Sequence, residues 1–166
     1  MLRKYLERTA DRLRSYFRKE LGRDPYLGRL KVRLGKLPTY FCKIGDRLAV
    51  KKIFGLYDPL ENEVVVDPVC FKELYDPERP WLERYFRIPK PERVLGEELI
   101  HADQANTGLM DRAFYRWGRK AEEWIEGAAS WISDKLWGET SVYQEYKDRF
   151  SKLVRRKGLK PAYSFF

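Results

Sequence analysis

Apolar positions at helical spacing open the chain. Leu2, Tyr5, Leu6, Leu13, Tyr16, Phe17 and Leu21 fall on one stripe of residues 2–21, with arginine and lysine opposite. Gly22 and the "RDP" at 23–25 predict the end of that helix. The period then changes. In "RLKVRL" (29–34) Leu30, Val32 and Leu34 alternate with Arg29, Lys31 and Arg33, which predicts a half-buried strand. "TYFCKI" (39–44) and "LAVKKIFG" (48–55) predict two more strands, joined across Gly45 and Asp46. "DPLEN" predicts a turn, and "EVVVD" a short strand after it. Residues 76–91 hold Pro77, Pro80, Pro89 and Pro91 and predict an irregular surface loop anchored by Trp81, Tyr85 and Phe86. Beyond Pro91 the pattern is helical, over 92–105, 111–136 and 141–157. Strands in the first half and helices in the second predict an α+β fold. A chain of 166 residues suits a single domain. Its parts are a basic amphipathic helix in 1–27, a sheet in 28–75 and a helical part in 92–157.

Charge adds to this picture. Charged residues make up 36% of the chain, above the usual share of about 25%. Ion-pair networks of the kind favoured in a thermophile account for such a share. Net charge is +9, and much of it lies in residues 1–36, where twelve basic side chains stand against four acidic ones. Such a field attracts nucleic acid, acidic lipid or an acidic protein. The "KLVRRKGLK" at 152–160 adds to it, so a basic nucleic-acid- or partner-binding protein is one reading of the chain. No helix-turn-helix or zinc-finger pattern accompanies the charge. Cys42 and Cys70 are too few for a disulfide framework, and nothing in the sequence demands a bridge between them. No apolar run approaches the roughly 18 residues of a membrane span, and the N-terminus carries no apolar signal segment. A cytoplasmic protein is the expectation.

The chain has one histidine, His101, in "VLGEELIHADQ" (94–104). On a helix of about 100° per residue, His101 falls about 40° from Glu97, and Glu98 falls about 100° from it. Both carboxylates and the imidazole therefore share one side, flanking the apolar face of Leu95, Leu99 and Ala102. Glu97 and His101 are one turn apart, the spacing that lets two side chains grip one metal ion. In H-E-x-x-H that geometry binds zinc through two histidines, with the glutamate as general base. Here the run is E-E-x-x-H. A second carboxylate, Glu126, lies among Trp124, Ile125, Ala128, Ala129, Trp131 and Ile132, and burying it is costly unless it is paired or bound to metal. Gly127 and the two alanines leave room for close helix packing, so Glu126 can reach the helix that carries His101. A ferritin-like di-iron site needs two Glu-x-x-His motifs and is excluded by the single histidine.

Three segments together resemble the gluzincin branch of the zincin metallopeptidases, and among them the very small minigluzincins. "GLYDPLENEVVVDP" is similar to the turn and edge strand that line the substrate cleft. "EELIHADQ" resembles the active-site helix, and "WIEGAASWISDKL" the later helix that supplies the third zinc ligand. The resemblance spans roughly residues 53–150. It implies a zincin-like fold with His101 as second ligand, Glu126 as third ligand and Glu98 as general base. It also implies one divalent metal, zinc first, and a peptide or protein substrate. In the implied reaction, metal-activated water attacks a peptide carbonyl while Glu98 takes the proton and passes it to the leaving amine.

Glu97 departs from the family pattern, since it stands where the first histidine belongs. Three outcomes follow. Glu97 can still ligate, since zinc accepts carboxylate oxygens at about 2.0–2.2 Å. Two carboxylates then cancel the metal's charge, bound water is less acidified, and the harder donors favour manganese or iron. Alternatively the site holds no metal and the fold is an inactive scaffold, or Glu97 and His101 simply pair at the surface. One turn beyond Glu126, where gluzincins often carry Asp, stands Ser130, which can donate a hydrogen bond to Glu97 and so support the altered set. Tyr115, Tyr143 and Tyr146 are the oxyanion donors available by residue type. The N-terminal helix has no counterpart in the family and is a candidate cover for the cleft.

Overall fold

The first amphipathic stripe becomes a helix of 20 residues, α1 (Leu2–Leu21), which buries Thr9, Leu13, Phe17 and Leu21 and ends at Gly22 in the left-handed conformation. The computed structural model describes residues 1–164, apart from the side chains of Cys42 and Ile44. Four-residue strands β1 (Lys31–Leu34), β4 (Gly55–Asp58) and β5 (Glu63–Val66) form a sheet in the order β1-β5-β4. β5 runs parallel to β1 and antiparallel to β4. Its three consecutive valines are buried, as a central strand covered on both faces requires. β2 (Thr39–Ile44) and β3 (Arg47–Lys52) pair only with each other, in a hairpin turning at Gly45 and Asp46.

The strand expected over 48–55 ends at Lys52, and β4 shares only Gly55 with it. Its first part belongs to the hairpin. Lys52 is drawn into a fully buried pair with Asp67, 2.5 Å away, and also donates to the Leu37 carbonyl at 2.6 Å. The chain then changes sheet, and Gly55–Asp58 becomes β4. The proline-rich stretch holds a short helix, α2 (Arg79–Leu82), whose anchor is the buried Leu82. Trp81 and Tyr85 lie against each other at the surface, 5.1 Å apart, while Phe86 meets Phe54 edge-on. Phe86 thus packs on the sheet-side core as an anchor, while Trp81 and Tyr85 stay at the surface.

α3 (Pro91–Asn106) is followed by α4 (Leu109–Trp117) and α5 (Ala121–Trp137). The single helix expected over 111–136 breaks at Gly118, whose φ of 56° and ψ of −132° suit only glycine. α6 (Gln144–Lys157) and α7 (Leu159–Tyr163) complete the described chain. The α+β class thus holds.

α3 lies between two hydrophobic clusters. Leu99 and Ile100 join Leu13, Phe17, Ile132 and Tyr163 in the helical one. Val94, Leu95 and Ala102 join Val64, Val66 and Phe71 on the sheet side. Asp103, fully buried on α3, accepts two bonds from Arg23 at 2.7 and 2.8 Å, one from the Tyr26 amide and one from the Tyr163 hydroxyl. α1 and the chain after it thus meet α3 at Glu92 and Asp103, about 220–240° around the helix from Glu97. That is the side away from Glu97 and His101, so α1 belongs to the core and does not cover the candidate cleft. Cys70 is free, and burial pushes its thiol up to about 12. The other half of a Cys42–Cys70 bridge lies outside the described side chains. No helix of the described residues is long and apolar enough to cross a membrane.

Candidate metal centre

The E-E-x-x-H run sits mid-way along α3, and Glu126 in the second turn of α5. The two helices pack closely enough that the α3 residue Gly96 lies under the Trp137 ring, where a Cβ would come within 2.1 Å of it. Gly127, beside Glu126, packs instead on the backbone of Tyr146 in α6, at 2.6 Å from a Cβ built there. Glycine was expected to admit the helix bearing His101; it admits α6, and it fixes the roll of α5 all the same.

This packing brings one donor atom from each of Glu97, His101 and Glu126 within 4.8 Å of one another. His101 Nε2 lies 3.3 Å from Glu126 Oε2. Tetrahedral zinc bonds of about 2.1 Å put donors about 3.4 Å apart, so this pair already has the separation of two ligands on one ion. His101 is only 8% exposed. Its Nδ1 lies 2.9 Å from Gln104 Oε1, and Gln104 Nε2 donates to the Ile125 carbonyl at 3.1 Å. The amide orientation set by Ile125 leaves Gln104 Oε1 as an acceptor. Nδ1 therefore carries hydrogen, and Nε2 turns to Glu126. One imidazole and two carboxylates make a donor set that suits a divalent ion.

Electrostatics are dominated by acid. Burial raises the Glu97 carboxyl above its ordinary range, with Glu126 and Asp134 adding to the rise and His101 and Arg93 opposing it. Burial also pushes Glu98 up to about 8. It pulls His101 the other way, but Glu126 outweighs it, helped by Glu98 and Glu97, and the imidazole rises to about 10. Without metal the imidazolium is thus the counter-ion of the cluster.

Ser130 does not take the expected part. It is fully buried and its hydroxyl has no hydrogen-bond partner. Glu97 faces Arg93 instead, one turn back on α3 at 3.8 Å. Arg93 in turn meets Asp134 at 2.8 Å and donates to the Gly138 carbonyl and the Thr140 hydroxyl. Lys147 backs Asp134 at 2.5 Å. An arginine i−4 from Glu97, and a glutamine i+3 from His101, were both present in the sequence as helix-spacing signals.

Glu98 points to the sheet. Its carboxylate lies where a Cβ on Gly55 of β4 would come within 2.8 Å, and the Tyr57 amide of the same strand bonds it. β4 is the edge of its sheet. Of the three tyrosines, Tyr115 is 97% exposed on α4. Tyr143 precedes α6 with φ 52°, a left-handed backbone rare outside glycine. Its phenol is raised by burial and then by Glu126, Glu97, Glu122 and Glu98, which puts it in the field of the centre. Tyr146 stacks on it, ring centroids 5.6 Å apart. Comparison of the chain with protein-family models, curated proteins and solved structures finds no match in any of the three.

Proposed function

We propose that the α+β fold is zincin-like and that the protein is a metal-dependent peptidase whose ligands are Glu97, His101 and Glu126. The convergence of those three donor atoms within 4.8 Å, from two helices, carries the reading. Such an ion, zinc first and manganese or iron after it, supplies Lewis acidity to a water molecule and to the scissile carbonyl. Glu98 is the general base. Its carboxyl, held near 8 by burial, can take a proton from water and return it to the leaving amine near neutral pH. Tyr143 keeps its phenolic proton and is the oxyanion donor. An extended peptide lies along β4, whose edge position leaves main-chain groups for strand addition beside Glu98.

Elemental analysis of purified wild type beside His101→Ala and Glu126→Ala tests the centre. About one divalent metal per chain in wild type, and little in either variant, is expected. Equal metal in all three removes the centre. A peptidase assay on Glu98→Gln then separates catalysis from binding: a variant that keeps its metal and loses activity supports the base. Neither metal nor activity in wild type leaves the inactive zincin-like scaffold.

A further inference from the structure

Arg93 stands one turn before Glu97 on α3 and is only 7% exposed. Its guanidinium donates to the Gly138 carbonyl at 2.6 Å and to the Thr140 hydroxyl at 3.0 Å, and it faces Asp134 at 2.8 Å. Asp134 is shared with Lys147 of α6 at 2.5 Å, and Lys147 also donates to the Thr140 carbonyl. Thr140 is thus gripped by both cations, its hydroxyl by Arg93 and its carbonyl by Lys147. The fourth charge of the group is Glu97, 3.8 Å from Arg93. Two cations and two carboxylates then balance. Unpaired buried charge is costly, so Glu97 completes the pairing. A neutral side chain at position 97 would leave one positive charge in excess.

The guanidinium is fixed by groups other than Glu97. Its three short contacts are all to the end of α5 and the loop that follows it, and a planar fork held at those points cannot turn freely. The Glu97 contact is the longest and lies beyond hydrogen-bond length. The cation therefore sets the direction of the carboxylate and leaves its lone pairs for another ligand. His101 is oriented by Gln104, and Glu126 lies against His101. Glu97 makes no other ion pair among the described residues, so its direction rests on Arg93.

We propose that Arg93 is the positioning residue of Glu97: its loop-anchored guanidinium keeps that carboxylate turned to His101 and Glu126, a role that rests on the reading of those three as metal ligands. Charge acts the other way. A cation beside the centre repels a divalent ion, so by charge alone its removal would strengthen binding. Orientation and charge thus give opposite signs. Zinc affinity, by competition with a chromophoric chelator, and the absorption bands of the cobalt-loaded protein test this in wild type, Arg93→Met, Glu97→Ala and the double variant. Arg93→Met should bind zinc about 10–100-fold more weakly than wild type, with cobalt bands moved to those of Glu97→Ala. In Glu97→Ala, adding Arg93→Met should change affinity by less than about twofold, because Arg93 acts through Glu97. Equal or tighter zinc binding in Arg93→Met overturns the proposal, as does an equal loss in both backgrounds, which marks a merely structural role. Thr140→Val serves if Arg93→Met does not fold, since it removes one hydroxyl of the anchor and keeps its volume. It should weaken zinc binding by roughly 2–10-fold, the worth of one hydrogen bond, and have no effect in Glu97→Ala. An unchanged affinity with Glu97 present overturns the proposal too. Wild type that binds no zinc removes the metal reading itself, an outcome told apart by wild type alone.

Discussion

Gln104 holds His101 from behind. Its Oε1 is 2.9 Å from the ring Nδ1, and its Nε2 is tied to the Ile125 carbonyl of α5, the residue before Glu126. One buried amide therefore orients the imidazole and sets the distance between the two helices that bring the donors together. Groups in this position behind a metal-binding histidine are typically worth 10–100-fold in affinity. Gln104→Ala should weaken metal binding by about that factor, measured by competition with a chromophoric chelator. An unchanged affinity would show that Gln104 only packs.

Close approach at Gly127 is the second requirement. A methyl group there meets the Tyr146 carbonyl, a backbone atom that cannot swing aside. Gly127→Ala should destabilise the protein by about 1–3 kcal/mol, the usual cost of overpacking, and lower Tm by roughly 2–12 °C. Since Glu126 is the preceding residue, metal affinity should fall with it. A melt identical to wild type would mean that α6 sits further from α5 than described.

Much of this was legible in the sequence. The switch from alternating to helical period placed the sheet and α3, and the one-turn spacing of Glu97 and His101 put both on one side of a helix. What was illegible depended on partners distant in the chain. The strand expected over 48–55 stops at Lys52, which pairs with Asp67 in another segment, and local alternation carries no sign of that. Ser130 was given to Glu97 by the family resemblance, from its place one turn beyond Glu126. The side chain that faces Glu97 is Arg93, one turn back on the same helix, while the Ser130 hydroxyl of α5 meets no partner among the described residues. Leu82, which anchors the proline-rich stretch together with Phe86, lies among aromatics that drew attention by size.

The Lys52–Asp67 pair joins the β2–β3 hairpin to the end of β5, with both side chains fully buried. Asp67 also accepts from the Leu37 and Val69 amides. Removing only the cation leaves a buried carboxylate short of its charge partner. Lys52→Met should therefore cost about 3–5 kcal/mol in chemical denaturation, with the hairpin the first region to lose hydrogen-exchange protection. A cost under about 1 kcal/mol, the range of exposed pairs, would show that water reaches the pair.

A metal ion on the proposed ligands would compete with protonation. In the metal-free protein His101 faces Glu97 and Glu98 from α3 and Glu126 from α5, and its imidazole is raised from 6.5 to about 10. The folded state therefore holds this proton more tightly than the unfolded state does. Its stabilising contribution is complete below about pH 6.5 and is lost as pH rises towards 10. Glu98 acts in the same direction: its rise from 4.5 to about 8 adds a penalty to the folded state that grows as it ionises across that interval. Chelator-treated protein should thus lose stability steadily from about pH 5 to pH 9. A metal ion must displace the imidazole proton, so the gain in Tm on adding zinc should increase over the same range. His101→Asn should flatten both slopes. Melts at pH 6, 7.5 and 9, with and without zinc, check the sign. A zinc-induced gain that shrinks as pH rises would place the ion on groups other than His101.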